Sequence, residues 1–325
     1  MKKNIAVICG GDSREFNISV KSADQILSLI NKDKYNVFPV TLKKNVWKAK
    51  NTEGIEFPID LNDFSILYDK KKIRFDYAFI IVHGTPGENG ILQSYLDIQK
   101  IPYNTGKVLS SALSFNKYAC KVFLKNFGIL SAESILLKKG IENSNTQILE
   151  TVGLPCFVKP NNGGSSYGTS KVNKTEELEN AIKEAFKDDD EVIVESYVKG
   201  TELSCGLLKT KKEEIIFPVT EIISKNEFFD YEAKYTDGKS DEITPANISE
   251  EIHKKCRQLS SEIYDYLNCR GIVRVDFILK GNQLFFLELN SIPGMSKESI
   301  IPKQIKAAGM KMEDIIEKVI EDTKY

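Results

Sequence analysis

VRVDFILKGNQLFFLELNSIPGMSKES, residues Val273 to Ser299, sets two short apolar runs on either side of a Gly-Asn turn. That is the pattern of a β-hairpin. Side chains alternate between faces along a strand. Val273, Val275, Phe277 and Leu279 therefore share one face of the first strand, and Phe285, Leu287 and Leu289 one face of the second. The other faces carry Arg274 and Asp276, and Glu288 and Asn290. Burying the apolar faces together fixes the parity of the register, because a one-residue slip turns one set outward. With Asn282 at the centre of the turn, Asp276 stands opposite Glu288 and Arg274 opposite Asn290. Three oxygen-bearing side chains and one guanidinium then meet in one patch. Mg²⁺ takes all-oxygen ligand sets of this kind, usually beside phosphates. The plain alternative is an amphipathic hairpin with a solvated polar face. Pro293-Gly294-Met295, turn chemistry directly after the hairpin, favours a site, since sites concentrate in loops at strand ends.

The chain has 325 residues, enough for two or three domains with substantial cores. Its apolar fraction of 41% and charged fraction of 28% are those of a soluble globular protein. The formal net charge is −1, with no long single-sign block, which speaks against a nucleic-acid or membrane-surface binder. None of the six cysteines forms a C-x-x-C pair, and several lie inside apolar runs. Reduced thiols in a cytoplasmic protein fit this better than a disulfide framework or a zinc site. The apolar run after Met1-Lys2-Lys3 is too short for a signal sequence. No segment approaches the ~18 apolar residues of a membrane span. With only His83 and His253 present, chemistry rests mainly on carboxylates, lysines and arginines.

Upstream, the first hundred residues read as α/β. Asn4 to Cys9 is a strand, Gly10-Gly11 a turn, and Ile18 to Ile30 a helix with Val20, Ala23, Ile26, Leu27 and Ile30 on one side. Tyr35 to Leu42 is the next strand. Tyr77 to Val82 has the unbroken apolar run of a strand buried on both faces, and it ends in the Gly-rich loop HGTPGENG. The Lys-rich stretch from Trp47 to Arg74 reads as surface hairpins and loops. A second unit begins near Val108, where Asn116 can cap a helix from Lys117 to Phe127. Strands follow at Leu154 to Lys159, Thr169 to Val172 and Glu191 to Val198, with a helix from Thr175 to Phe186. The third unit has strands at Leu203 to Leu208 and Ile215 to Ile223, a helix starting near Ser249, the hairpin, and a terminal helix from Met312 to Ile320.

Other segments carry chemistry of their own. The loop Gly163-Gly164-Ser165-Ser166-Tyr167-Gly168 can turn backbone N–H groups and hydroxyls toward an anion. It is not a P-loop, because Thr169 stands where the lysine belongs and a strand follows. Taken alone it could be a plain hairpin turn. Lys159, ending a buried-looking strand just before it, needs an anionic partner, and a nucleotide phosphate is one. Lys117, near a helix start, and Glu195 and Glu202 read by themselves as surface residues. Phe228, Phe229, Tyr231 and Tyr235 alternate irregularly with Asp230, Glu232 and Lys234, which suggests a functional loop. Glu15 follows Gly10-Gly11 near a helix N-terminus, where anions are favoured. A dinucleotide site there lacks the G-x-G-x-x-G spacing.

These segments together resemble the D-alanine–D-alanine ligases of the ATP-grasp superfamily, over nearly the whole chain. GGDSREFNIS, HGTPGENG with IPYNTG, ALSFNKYACK, VKPNNGGSSYG, FFDYEAKY with TPA, VRVDF and LELNSIPGMSKESIIP occur in family order. The resemblance implies an α/β (α+β) fold of three units. These are an N-terminal parallel-sheet domain over 1–107, a central ATP-grasp subdomain over 108–194 and a C-terminal one over 195–325. It implies that Lys117, Lys159, Ser166 and the loop around Gly164 and Ser165 hold the ATP phosphates. Glu195, Tyr197, Val198, Glu202 and Lys234 would complete the ATP site. Asp276, Glu288 and Asn290 would bind two Mg²⁺ ions, replaceable by Mn²⁺, with Glu288 bridging. Glu15 would receive the ammonium of the first D-alanine, with His83 beside it. Arg274 and the Gly294 backbone would meet the developing oxyanion. Ser299 would take the second carboxylate, and Glu15, Ser165 and Tyr235 would close the site. Phe16 and the pair Asn104-Thr105 depart from the family pattern near the first amino-acid subsite.

The implied reaction joins two D-alanines at the expense of ATP for peptidoglycan precursors, in a cytoplasmic homodimer. A ligase making D-alanyl-D-lactate or D-alanyl-D-serine keeps the class and changes the product. An inactive nucleotide-binding relative is disfavoured by the intact Arg274, Asp276, Glu288 and Asn290, and an NAD oxidoreductase by the missing fingerprint.

Overall fold

The computed structural model describes residues 2–51, 53–224 and 240–322. Its first unit is built on β1 (Lys3–Gly10), β2 (Tyr35–Lys43), β3 (Val46–Lys50), β4 (Glu56–Pro58) and β7 (Tyr77–Ile80), in the order β4-β3-β2-β1-β7, while β5 (Ser65–Tyr68) and β6 (Lys71–Arg74) pair separately. The expected parallel sheet is parallel only across β2-β1-β7; β3 and β4 run antiparallel. β2 turns into β3 over Lys44 and Asn45 alone, and so short a connection joins only antiparallel neighbours. Of the stretch expected as surface hairpins and loops, β3 and β4 instead lengthen the sheet itself, while β5 and β6 form a separate hairpin as expected. The exposed lysines of β3 alternate with Trp47, which meets Phe64 and Tyr95 edge-on. Helix α1 (Phe16–Leu29) lies against β1, but Ser19 and Ser22 share its buried face with Ala23 and Ile26. Ser19 is tolerated there because its hydroxyl donates to the Ile81 carbonyl (2.7 Å) and accepts from Gly10 N–H (2.8 Å). The short helix α2 (Ile91–Gln99) follows the Gly-rich loop.

Helices α3 (Val108–Phe115) and α4 (Lys117–Lys125) lead into a four-stranded antiparallel sheet, in which β8 (Ser134–Lys138), β9 (Cys156–Pro160), β10 (Ser170–Val172) and β11 (Glu191–Ser196) lie in the order β10-β9-β11-β8. As read from the sequence, the Asn116 side chain caps α4, accepting from Ala119 N–H at 2.9 Å. Helices α5 (Asn145–Val152) and α6 (Thr175–Ala185) bury Ile148, Val152, Leu178 and Ala185 against this sheet.

The last sheet contains β12 (Thr201–Lys209), β13 (Glu214–Ile216), β14 (Thr220–Ser224), β15 (Ser240–Ile243), β16 (Ile272–Lys280) and β17 (Gln283–Asn290), in the order β15-β14-β12-β16-β17 with β13 beside β12. The single strand expected from Ile215 to Ile223 is two, because Pro218 has no N–H for the ladder and breaks it. Helix α7 (Glu250–Tyr266), capped by Ser249, covers this sheet, and Cys120 and Leu124 of α4 join the same core. Helices α8 (Ile300–Ala307) and α9 (Met312–Asp322) end the described chain. α9 returns to the first unit, burying Ile315, Ile316, Val319 and Ile320 in that core. No described helix is long and apolar enough to cross a membrane, and the six cysteines are buried free thiols.

The hairpin β16–β17 corrects one expectation and keeps another. Lys280 pairs Gln283 across Gly281-Asn282, so the turn has two residues and is not centred on Asn282. A β-bulge between Asp276 and Phe277 then shifts the register by one, and Asp276 does pair Glu288 and Arg274 does pair Asn290. Leu287 is the extra residue of the bulge, so the faces switch there. Leu284, Phe286 and Leu289 are the core residues of β17, and Phe285 and Leu287, expected to share a face with Leu289, line a cavity on the other side.

Candidate active site

Two cavities meet above the β16–β17 hairpin. The first, of about 420 Å³, lies between the central and last sheets and is walled by Phe157, Tyr197, Val198, Ile222, Phe285 and Leu287. The second, of about 1000 Å³, lies between the first unit, which presents Glu15, His83 and Glu88, and Arg274, Asn290, Gly294 and Ser299. Lys117, Gly163, Gly164 and Glu288 line both, so they form the seam.

At the floor of the first cavity three buried charges are packed together. Glu195, at the end of β11, receives Lys121 of α4 on Oε1 and Lys159 of β9 on Oε2 (2.5 Å). Burial alone would raise the carboxyl pKa, but the two ammonium charges outweigh it and hold Glu195 at about 2. Burial pushes Lys121 down. Lys159 is also opposed by burial, but Glu195 and Glu288 together drive it up, so it keeps its charge at the cavity wall. Lys121 was not singled out from the sequence. Its signal was the i, i+4 spacing from Lys117, which places both on one side of α4.

The Gly163–Gly168 loop covers the seam. Lys117 Nζ donates to the Gly163 carbonyl, and Ser165 Oγ donates to Glu15 Oε1. Both Ser165 and Ser166 have positive φ, 52° and 57°, a conformation uncommon for residues with a side chain. Gly164 packs directly against the Glu15 carboxylate: a Cβ there would lie 2.5 Å from Glu15 Oε2 and displace that side chain.

Asp276 lies behind the cavity wall, 2% exposed. Arg274 Nη2 donates to its Oδ2 at 2.8 Å, Asn290 Nδ2 to the same oxygen at 3.0 Å, and Ser204 Oγ to Oδ1 at 2.7 Å. Asn290 thus spends its amide nitrogen on Asp276, which leaves its carbonyl oxygen as the acceptor end of that side chain. Asp276, Glu288 and Asn290 together offer the oxygen set that a hard divalent cation takes. The donor set fits such an ion, with Glu288 on the seam and the other two beside it on the paired strands.

In the second cavity, His83 Nδ1 donates to the Ile292 carbonyl (2.9 Å), and Nε2 lies 3.4 Å from Ser22 Oγ. Burial lowers its pKa despite the nearby Glu15, so the ring is neutral. Glu88, absent from the sequence expectations, is pushed up to about 8 by burial and by Glu15. Its oxygens accept from Gly84 N–H (2.8 Å) and Ser291 Oγ (3.4 Å). Ser299 is the N-cap of α8 and lies at the cavity with Gly294, where a Cβ would come 2.8 Å from Ser299 Oγ. The two departures from the family pattern point elsewhere. Phe16 fills the space beside Gly10, under Lys43. Asn104 bonds the Ile80 N–H (2.6 Å) and carbonyl (3.1 Å), extending the edge of β7. Lys234 and Tyr235 lie outside the described residues.

A cleft gripped between an antiparallel sheet and a second sheet, with lysines at one wall and Glu288 on the seam, is the architecture of the ATP-grasp fold. Residues 4–106 match the family described as D-ala D-ala ligase N-terminus, and residues 123–321 that described as D-ala D-ala ligase C-terminus. The chain belongs to the D-alanine–D-alanine ligase family. It is 47% identical to the D-alanine–D-alanine ligase of Phocaeicola vulgatus and 46% identical to that of Porphyromonas gingivalis, the first over 99% of both chains, the second over 99% of this chain and 98% of the relative. Among solved structures it resembles the VanG D-Ala:D-Ser ligase of Enterococcus faecalis (TM-score 0.89, 31% identity, all of both chains). It also resembles an ATP complex of the Bacillus anthracis D-alanine–D-alanine ligase (TM-score 0.79, 29% identity, 99% of this chain and 97% of the other).

Proposed function

We propose that the protein catalyses ATP + 2 D-alanine → ADP + phosphate + D-alanyl-D-alanine through a D-alanyl phosphate, supplying peptidoglycan precursors in the cytoplasm. The observation that carries this reading is the seam. Lys117 and Glu288 line both cavities, so a triphosphate in the first ends where an amino-acid carboxylate in the second begins. The division into 1–107, 108–194 and 195–325 and a homodimeric state belong to the same reading.

A carboxylate is a poor electrophile, and phosphorylation gives it a good leaving group. Lys117, Lys159 and the N–H groups around Gly164, Ser165 and Ser166 draw charge from the phosphates, while Tyr197, Val198 and Glu202 hold the nucleoside end with Glu195 and Lys234. Asp276, Glu288 and Asn290 would hold two Mg²⁺ ions, with Mn²⁺ an acceptable substitute, and Mg²⁺ there supplies charge neutralisation during phosphoryl transfer. Glu15 takes the ammonium of the first D-alanine, and the neutral His83 positions it. Arg274 and the Gly294 backbone meet the tetrahedral oxyanion when the second amine attacks. Ser299, at the start of α8, receives the second carboxylate, where the helix dipole favours an anion. Ser165, Glu15 and Tyr235 close the site against water, which would hydrolyse the acyl phosphate.

The test is ADP release by the purified protein with D-alanine, D-serine and D-lactate in competition, and mass identification of the products. Dominant D-alanyl-D-alanine is expected. A dominant D-serine or D-lactate product would keep the ATP-grasp chemistry and overturn the assignment of the second substrate.

A further inference from the structure

Arg14 is next to Glu15 in the turn between β1 and α1, and it reaches a different part of the same loop. Its Nη2 donates to Asp188 Oδ1 at 2.6 Å, and its guanidinium carbon lies 5.3 Å from the centroid of the Tyr167 ring. Tyr167 belongs to the Gly163–Gly168 loop and lines the nucleotide cavity. Asp188 also backs the end of that loop, where a Cβ at Gly168 would lie 2.8 Å from its Oδ2. Glu15 meanwhile accepts from Ser165 Oγ. The dipeptide Arg14-Glu15 therefore holds the loop at two places, from a turn that is itself anchored. Ser13 Oγ donates to the His83 carbonyl at 2.7 Å, and Asp12 N–H to the Thr85 carbonyl at 2.9 Å.

We propose that Arg14 is a positioning residue, which keeps the Gly163–Gly168 loop shut over the nucleotide by clasping Tyr167 and Asp188. The proposal rests on the reading of that loop as the phosphate cover. Two consecutive serines at positive φ make the closed loop conformationally expensive, so it needs an outside hold. A guanidinium suits the position because its flat face stacks on a ring while its N–H edge pairs a carboxylate, and an ammonium does less well at both together. When the loop opens, water reaches the acyl phosphate. Attack on it returns D-alanine and phosphate, so one ATP becomes ADP with no dipeptide formed.

The test compares wild type with Arg14→Ala, Arg14→Lys, Asp188→Asn and the double variant Arg14→Ala/Asp188→Asn. The Arg14 side chain is 62% exposed, so its removal leaves the core untouched. Arg14→Ala is expected to speed amide exchange across 163–168 in the ATP-bound enzyme and to raise KM for ATP, each by about three- to tenfold. The ratio of ADP to dipeptide should rise above one. Arg14→Lys should restore part of the loss, Asp188→Asn should do less harm than Arg14→Ala, and the double variant should be no worse than Arg14→Ala. Unchanged loop exchange and stoichiometry in Arg14→Ala, or effects of the two single substitutions that multiply, would overturn the clasp. Failure of the functional reading is separate: wild type would then form no dipeptide, while exchange in the ATP-bound protein would still report on Arg14.

Discussion

Lys121 and Glu195 form an ion pair beneath the nucleotide cavity with only 3% and 4% of their side chains exposed. Such a pair is not a large source of net stability, but removing one member leaves the other buried with less compensation. Lys121→Met is expected to destabilise the protein by about 3 kcal/mol near neutral pH. Glu195 has a depressed pKa, so its share of stability is present above the unfolded value of about 4.5 and is lost as pH falls toward about 2. Urea unfolding of both proteins should show their difference shrinking over that interval. A difference that stays constant down to pH 2 would mean Glu195 is not what Lys121 stabilises.

Glu288→Gln is expected to abolish ligation and leave the fold intact. Glu288 lines both cavities and pairs with Asp276 across the hairpin, and in the proposed mechanism it bridges the cations and offsets their repulsion. Asp276→Asn should act in the same direction but incompletely, because Arg274, Asn290 and Ser204 all hold that side chain. Steady-state turnover in saturating Mg²⁺, beside circular dichroism, checks both. Wild-type turnover in Glu288→Gln would remove the metal assignment.

Much of this site was legible because its residues sit at strand ends with an alternation that burial enforces. The pairing of Asp276 with Glu288 was expected from parity and a turn centred on Asn282; the turn is centred elsewhere, and the one-residue bulge restores that pairing. The bulge was not expected, because Phe285, Leu287 and Leu289 alternate as well as a regular strand would, and only the packed structure shows which of them leaves the core. The antiparallel strands after β2 were hidden by lysines on their exposed face. Ser19 and Ser22 were hidden by their polarity, although both are fully buried. Lys121 and Glu88 were missed for a related reason: a charged residue reads as surface until its surroundings are known, and the partner of Lys121 is 74 positions away, while Glu88 bonds both the local Gly84 N–H and Ser291, 203 positions away.

Glu88 leads to a second pH effect of opposite sign. Its carboxyl is raised from 4.5 to about 8 in the folded protein, first by burial and then by Glu15, so it is protonated at neutral pH. The folded state then binds more protons than the unfolded state between those values. Stability should fall as pH rises from about 4.5 to about 8. Glu88→Gln, which keeps the shape and remains neutral, should flatten that slope. Melting temperature against pH in the two proteins is the measurement, and identical slopes would count against the raised pKa.

His83→Ala should raise KM for D-alanine about tenfold and leave measurable turnover. The ring is neutral, and its two nitrogens face Ile292 and Ser22, which is the setting of a positioning group. Complete loss of turnover with ATP binding and stability retained would show that the imidazole carries a proton in the reaction.

The last expectation concerns Leu287. It is the extra residue of the bulge, and its side chain lines the nucleotide cavity beside Phe285. If it were absent, the remaining residues would alternate without interruption, with Leu284, Phe286 and Leu289 toward the core and Phe285, Glu288 and Asn290 toward the site. Deleting Leu287 should therefore preserve the pairing of Asp276 with Glu288, and with it the oxygens proposed to bind the cations, while removing apolar surface from the nucleotide wall. A buried leucine side chain contributes about 1.5–3 kcal/mol when fully covered, and this one is half-buried. KM for ATP should rise by about three- to tenfold, with the Mg²⁺ dependence of turnover unchanged. Leu287→Ala, which keeps the bulge, should raise KM to a similar degree. If the deletion instead abolishes Mg²⁺-dependent turnover while Leu287→Ala does not, the bulge itself, and not the side chain it carries, is what aims Glu288 at the seam.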